Sequence, residues 1–168
     1  RDLVLPDFGG LKQNPLRVLG AVLTHGHEDH IGALQFLLLD LSFPCYGSAL
    51  PLALARPRLE EAGVLGRTKL IPVVDGERRK IGPFDVEFIP VTHSVPHSFA
   101  TCYRTPQGNI LPSGDFKIDL TPVDGRRTDL ARIGAIADGE GFRLLLSDST
   151  NAEEPGHTTS ETEVGKVL

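Results

Sequence analysis

The segment HGHEDH, residues 25–30, constrains this chain more than any other feature of its sequence. It places three imidazoles and the carboxylate of Asp29 side by side, although the whole chain has only 6 histidines. The apolar run 17–24 precedes it and predicts a buried strand, whereas the apolar run 31–41 follows it and predicts a buried helix. Imidazole and carboxylate groups are ligands of zinc and similar divalent ions, so this junction predicts a metal site.

The spacing within the segment predicts two metal positions. His25 and His27 alternate and can point the same way from an extended segment, whereas Asp29 and His30 lie at the turn into the helix and face a second position. Four residues divided between two ions leave both sites incomplete, so further ligands are needed.

Two single residues are the candidates for those further ligands. His93 ends the strand-like segment 84–93, and Asp115 ends the strand-like segment 109–115. Each alone is typical of a structural role. We expect both to join the cluster because the ends of neighbouring strands present side chains to one cleft.

Composition excludes several classes of protein. The chain has 17 basic and 22 acidic residues and a formal charge of −5, which excludes a tight, purely electrostatic nucleic-acid binder. Its apolar runs fall short of the eighteen or so residues of a membrane span, and no signal peptide opens the chain, so we expect a cytoplasmic protein without membrane association. The 2 cysteines lie far apart and form no disulfide framework.

Short elements separated by turn signals fill the rest of the chain and predict a layered α/β protein. A helix interrupted at Pro51 and Pro57 is expected over 48–65, and the basic segment 77–80 is expected to be a solvated hairpin tip. Segment 84–93 alternates apolar and polar residues, which predicts a half-buried strand. The other predicted elements are strands over 69–74, 98–105 and 109–115, a helix over 128–137 capped by Thr128 or Asp129, and a buried strand over 143–147.

The order H-x-H-x-D-H, then a lone His, then a lone Asp resembles the metallo-β-lactamase superfamily. Three longer segments are similar to bacterial ribonuclease J, in the β-CASP branch of RNA-processing nucleases. They are THSVPHSFA (92–100), SGDFKIDLTPVDG (113–125) and SDSTNAEEPGHTTSE (147–161). The H-x-H-x-D-H motif alone identifies only the superfamily, whereas these segments are more specific, and the resemblance covers nearly the whole chain.

The resemblance implies a dinuclear centre with two Zn²⁺ ions, Mn²⁺ or Mg²⁺ being the alternatives. It assigns His25, His27 and His93 to one ion, Asp29 and His30 to the other, and Asp115 to both as a bridge. Asp29 and Asp115 would also take part in catalysis, with Asp148 supporting the catalytic centre. His97 and His157 match no ligand of the family pattern.

The resemblance also implies the fold and the domains. We expect an incomplete αββα sandwich of two mixed sheets flanked by helices. Residues 1–150 would form a partial metal-binding domain, and residues 151–168 a linker or the start of an inserted β-CASP domain. A final histidine ligand, an opening strand pair and the β-CASP domain have no counterpart here, so we expect a fragment that is inactive alone.

The function implied is that of a metal-dependent ribonuclease in RNA processing and decay. By resemblance it would combine 5′-to-3′ exonuclease and endonuclease action on RNA, and the full-length protein would be a homo-oligomer. One alternative is a metallo-hydrolase of small thioester or lactam substrates with the same fold. Another is a non-catalytic RNA-binding or assembly module that binds metal weakly.

Overall fold

The structure, a computed structural model, describes residues 4–13 and 18–166. The chain divides into two compact units, Arg1–Val73 and Val74–Leu168, and each unit contains its own sheet. Within the described ranges, no helix combines the length and the apolar character needed to cross a bilayer. The division into residues 1–150 and 151–168 stays a prediction.

The first unit is a three-stranded parallel sheet with helical connections. Its strands follow one another in the order β1-β2-β3. Parallel neighbours need crossover connections, and the apolar segments between these strands supply them as helices. The strands are β1 (Ala21–Leu23), β2 (Cys45–Gly47) and β3 (Leu70–Pro72), and the helices are α1 (Gly9–Gln13), α2 (Glu28–Ile31), α3 (Leu34–Asp40), α4 (Ala49–Glu61) and a 3₁₀ turn (Leu65–Arg67).

Two helix predictions in this unit need correction. The predicted helix over 31–41 is two helices, α2 and α3, which meet at Gly32 and Ala33. Helix α4 runs unbroken through both prolines. Pro51 lies in the first turn, where a backbone N–H has no helical partner in any case. Pro57 lies inside the helix, and the buried apolar residues around it hold the helix in place. Residue 17 of the predicted first strand lies outside the described ranges.

The second unit is a five-stranded mixed sheet with the strand order β4-β5-β6-β7-β8. Its pairs are antiparallel except β7 and β8, which are parallel. The strands are β4 (Arg78–Ile81), β5 (Phe84–Val91), β6 (Ser98–Thr105), β7 (Gly108–Pro112) and β8 (Leu144–Leu146), and the helices are α5 (Leu130–Gly139) and α6 (Glu161–Gly165). Two sheets with helices confirm the predicted α/β class, although the smaller sheet is parallel rather than mixed.

Strand β4 was not predicted as a strand, because most of its residues are charged. The segment 77–80 belongs to a hairpin and exposes Arg78 and Lys80 as predicted, but most of it is strand rather than the hairpin tip, because Arg78 pairs directly with Glu87 of β5 in the ladder. The Arg78 guanidinium donates to the Asp85 carboxylate, and the Arg79 Nε donates to Glu77 Oε1 at 2.8 Å. These local acidic partners neutralise the basic side chains and allow them to line a sheet edge.

Strand β8 was predicted as a strand, but its burial differs from the prediction. Its leucines predict a buried strand, yet all three are exposed, and Leu145 is 58% exposed. The strand pairs with β7 and ends the order of the five-stranded sheet. An apolar run reports the propensity for a strand but not what covers it, so the prediction of burial was wrong while the strand itself is confirmed.

Helix α5 begins at a side-chain cap. Asp129 precedes the helix, and its Oδ1 accepts a hydrogen bond from the Arg132 backbone N at 2.9 Å. We expect Asp129→Ala to lower the free energy of unfolding by about 1 kcal/mol, the usual value of such a cap. Urea titration followed by circular dichroism measures this, with Asp129→Asn as the control because its amide oxygen keeps the acceptor. Equal losses in both variants would contradict the capping role.

Candidate metal centre

In the first unit, the junction between β1 and α2 gathers three imidazoles. His25 follows β1 closely and is fully buried, and its ring centroid lies 4.9 Å from that of His27 and 4.1 Å from that of His30. The His27 carbonyl accepts hydrogen bonds from the backbone N of His30 and of Ile31, at 3.1 Å each. This first helical turn therefore folds His30 back beside His25.

Two neighbours fix the geometry of this junction. The Thr24 hydroxyl lies 3.1 Å from Nδ1 of His25, which restricts rotation of that imidazole. Gly32 ends α2, and a Cβ at that position would lie 2.6 Å from the Glu28 carbonyl oxygen, closer than such atoms pack. A side chain at position 32 would therefore shift the backbone at the end of α2.

Asp29 occupies a different environment from the imidazoles. Its side chain is 80% exposed, and its Oδ2 lies 3.5 Å from Nε2 of His30. The first unit thus brings His25, His27 and His30 together and places the Asp29 carboxylate on the surface next to His30.

In the second unit, the ends of two strands bring His93 and Asp115 together. His93 lies two residues beyond β5 and Asp115 three residues beyond β7, and His93 Nε2 is 3.8 Å from Asp115 Oδ2. Gly114 adopts a φ of 59°, in the left-handed region that favours glycine, and so turns the chain directly before Asp115. Both side chains are partly buried.

Asp148 follows β8 and joins the same strand ends. Its Oδ2 accepts from the Phe116 backbone N at 3.4 Å, and its own backbone N donates to the Ser113 hydroxyl at 2.8 Å. Burial raises the pKa of this carboxyl, but hydrogen bonds from Thr150 and Phe116 and the charge of His93 outweigh it and lower the pKa below its ordinary value. Asp148 is therefore held as a carboxylate against the segment that carries Asp115.

A cleft of about 580 Å³ opens at these residues, and His93, Asp115 and Asp148 all line it. Residues of the polar segment 150–161 line it as well, most of which belong to the predicted linker or start of a further domain. His157, which matches no ligand of the family pattern, lines the cleft as well.

Contacts between the segments 113–125 and 147–161 hold that polar segment in place. The Lys117 Nζ donates to the Thr159 carbonyl at 2.8 Å and to Glu161 Oε1 at 2.7 Å, and the Glu161 backbone N donates to the Asp119 carboxylate at 2.9 Å. Both residues lie in the segments that resemble the family, but their contact was not predicted, because it joins positions more than forty residues apart.

The donor groups fit a divalent metal such as zinc. Two ligand atoms bound to one tetrahedral zinc at 2.0–2.2 Å lie roughly 3.3–3.6 Å apart. The 3.8 Å between His93 Nε2 and Asp115 Oδ2 is within a few tenths of an ångström of that separation. The imidazoles of the first unit are donors of the same class.

The family model of the metallo-β-lactamase superfamily matches residues 6–156. The chain therefore belongs to the metallo-β-lactamase superfamily, and the expectation drawn from H-x-H-x-D-H is confirmed. Membership and the histidine and aspartate donors together support a metal cofactor.

Within that superfamily, the chain is similar to ribonucleases J from several bacteria. It is 47% identical over 165 residues to ribonuclease J of Synechocystis sp., covering 97% of this chain and 26% of that protein. It is 42% identical to ribonuclease J of Thermus thermophilus and 44% identical to ribonuclease J 1 of Streptococcus pyogenes, in each case over 99% of this chain and 30% of the relative. The resemblance to ribonuclease J is confirmed, and the chain spans less than a third of these relatives' length.

Solved structures agree on the fold. A protein of unknown function from Enterococcus faecalis aligns with a TM-score of 0.57 at 19% identity, over 84% of this chain and 34% of its own. Zn²⁺-bound PqqB from Methylobacterium extorquens aligns with a TM-score of 0.51 at 16% identity, over 63% of this chain and 40% of its own. At these identities the likeness concerns the fold alone.

Proposed function

We propose that this chain is the metal-binding part of a metal-dependent ribonuclease that hydrolyses phosphodiester bonds in RNA. The observation that carries the proposal is the 42–47% identity to ribonucleases J from three bacteria over nearly the whole chain. Combined 5′-to-3′ exonuclease and endonuclease action, homo-oligomerisation and a cytoplasmic location belong to the same proposal.

We propose that the ligands implied by the resemblance hold a dinuclear centre. His25, His27 and His93 would hold one zinc ion, Asp29 and His30 the other, and Asp115 would bridge both. The local geometry supports this assignment, because each unit already gathers its own donors at strand ends. Metal ions bound there would lower the pKa of water and offset the negative charge that develops on phosphate oxygens.

The residues of this chain would then divide the remaining tasks. Asp29, exposed beside His30, would orient the attacking water. Asp148 would act as a positioning residue, because its carboxylate accepts from the Phe116 backbone N, directly after Asp115. The cleft lined by His93, Asp115, Asp148 and segment 150–161 would receive the phosphodiester. Protonation of the leaving oxygen is assigned to no residue of this chain.

Metal content and substrate preference test the proposal together. We expect the purified protein that carries this chain to contain close to two zinc ions per copy by elemental analysis. We expect it to degrade 5′-monophosphorylated RNA and to leave small thioesters intact, with degradation lost after chelation and restored by zinc.

Two results would instead support the alternatives. Hydrolysis of thioesters or lactams without RNA degradation would identify a small-molecule hydrolase of this fold. Less than one zinc per copy together with intact RNA binding would identify a non-catalytic module. Either result contradicts the ribonuclease.

A further inference from the structure

The Thr128 hydroxyl lies between the two chain segments that carry His93 and Asp115. Thr92 and Lys117 form an isolated antiparallel bridge, in which the Lys117 backbone N donates to the Thr92 carbonyl at 2.8 Å. An antiparallel pair of this kind normally exchanges two such bonds. Here the Thr92 backbone N donates to the Thr128 Oγ1 at 2.9 Å, and that hydroxyl donates to the Lys117 carbonyl at 2.8 Å.

The position of this hydroxyl relates it directly to the donors of the second unit. Thr92 precedes His93, and Lys117 lies two residues beyond Asp115. A change in the spacing of Thr92 and Lys117 therefore changes the spacing of the two side chains, which is 3.8 Å between His93 Nε2 and Asp115 Oδ2.

Thr128 is itself held rigidly. It directly precedes Asp129, the cap of helix α5, and the Asp129 backbone N donates to the Pro90 carbonyl of β5 at 3.0 Å. The preceding turn is fixed as well, because the Thr92 hydroxyl donates to the Arg126 carbonyl at 2.9 Å and the Arg126 Nη1 donates to the Val91 carbonyl at 2.9 Å. The hydroxyl is thus presented from a fixed support rather than from a mobile loop.

We propose that Thr128 is a positioning residue for the metal centre, whose hydroxyl sets the separation of His93 and Asp115. The proposal rests on the proposed function, because it assigns those two residues to one centre. Thr128 acts through its hydrogen bonds to Thr92 and Lys117. Its chemistry is specific, since the site requires one atom that both accepts and donates a hydrogen bond.

The test compares Thr128→Val, which has nearly the same shape without the hydroxyl, with Thr128→Ser, which keeps the hydroxyl. A methyl group needs about 3.5 Å from its neighbours, whereas the hydroxyl lies 2.9 and 2.8 Å from Thr92 N and Lys117 O. We expect crystal structures of the metal-free proteins to show the His93–Asp115 separation changed by roughly 0.5 Å or more in Thr128→Val. In Thr128→Ser the separation should match the parent.

Metal binding provides the second readout. We expect Thr128→Val to bind zinc about tenfold more weakly, the low end of the losses caused by removing groups that orient metal ligands. The absorption spectrum of the Co²⁺-substituted protein should change with it, and Thr128→Ser should restore both. Thr128→Ala serves if Thr128→Val does not fold, because it also removes the hydroxyl, and we expect the same weaker zinc binding.

Thr105→Val is the matched control. The Thr105 hydroxyl also makes two hydrogen bonds, donating to the Gly108 carbonyl at 2.7 Å and accepting from the Gln107 backbone N at 3.2 Å, but it does so at the turn between β6 and β7. We expect a comparable loss of thermal stability in this variant with unchanged zinc affinity.

Several outcomes overturn the inference. One is a Thr128→Val protein whose His93–Asp115 separation and zinc affinity equal those of the parent. Another is a Thr128→Ser protein that fails to restore that separation and affinity. The third is a Thr105→Val protein that loses as much zinc affinity as Thr128→Val. A parent protein that binds no zinc contradicts the proposed function instead, and the metal-free crystal structures then decide the role of Thr128 alone.

Discussion

Replacing Asp115 by alanine is expected to abolish RNA cleavage by the protein that carries this chain. Removal of a single group that stabilises developing charge costs roughly 10²–10³ in rate, and loss of a bridging ligand would remove the metal separation as well, so we expect at least a thousandfold loss. Folding should change little, because Asp115 lies in a turn beyond β7 and is only partly buried. Single-turnover degradation of 5′-labelled RNA measures the rate.

His27→Ala and Asp138→Ala complete the comparison. His27 lies at the start of α2 and is a proposed zinc ligand of the first unit, so its loss should reduce cleavage to a similar extent and lower the zinc content. Asp138 is an exposed carboxylate on α5, and its replacement should leave cleavage and zinc content unchanged. Cleavage that persists in Asp115→Ala or His27→Ala with normal circular dichroism would refute their role as ligands.

Replacing Glu87 by glutamine is expected to cost about 1–3 kcal/mol of unfolding free energy, the range for leaving a buried polar group without its hydrogen-bond partner. Glu87 lies on β5 with its side chain only 3% exposed. Its carboxylate accepts from Arg132 Nε at 2.6 Å and lies 2.8 Å from Arg104 Nη2. The variant leaves Arg132 without this carboxylate, whereas Arg104 keeps its pairing with Glu140 at 2.9 Å. Urea unfolding followed by circular dichroism measures the change.

The pH dependence of stability provides a second test of the Glu87 carboxylate. The hydrogen bond from Arg132 is the largest influence on the Glu87 pKa. Burial opposes it, a further hydrogen bond from Arg104 supports it, and the pKa is lowered. A folded-state pKa below the unfolded value means that the stabilisation is present above the unfolded pKa and is lost as the pH falls through the folded one. We expect Glu87→Gln to lose less stability on acidification than the parent.

Glu60→Gln is the control for Glu87. Glu60 pairs with Arg56 at 3.9 Å on the surface of α4, with both side chains 54% exposed, and such pairs contribute about 0.3–0.5 kcal/mol. A loss below 1 kcal/mol in Glu87→Gln, or one equal to that of Glu60→Gln, would show that the buried carboxylate contributes no more than a surface group.

Local patterns predicted many of the elements. Strand β6 has the predicted bounds of 98–105, and helix α5 begins beside Asp129 as its capping signal indicated. The junction of β1 and α2 also lies at HGHEDH, as the change from one apolar run to the next indicated. These features depend on neighbours within a few residues, and such dependence can be read directly from the sequence. The assignment of individual ligands to metal ions stays a prediction.

Other features depend on partners far along the chain. Glu87 belongs to a strand predicted to be half-buried, yet it is buried, because Arg104 and Arg132 approach it from β6 and α5. The segment 150–161 has the composition of a linker, yet Lys117 and Asp119 hold part of it against the cleft. The periodicity of a strand indicates which of its faces is apolar. It does not indicate whether a charged residue from a distant segment will neutralise a polar residue of that strand.

The sequence by itself determined the types of donor, their placement at strand ends and the family, because ligand chemistry and strand-to-helix junctions are encoded in short runs of residues. Only the tertiary structure decided the 3.8 Å between His93 and Asp115, the hydroxyl of Thr128 between their segments and the wall formed by residues 150–161. The physical reason is that these distances arise from hydrogen bonds and ion pairs between residues ten to forty or more positions apart, whose meeting depends on how the whole second unit packs.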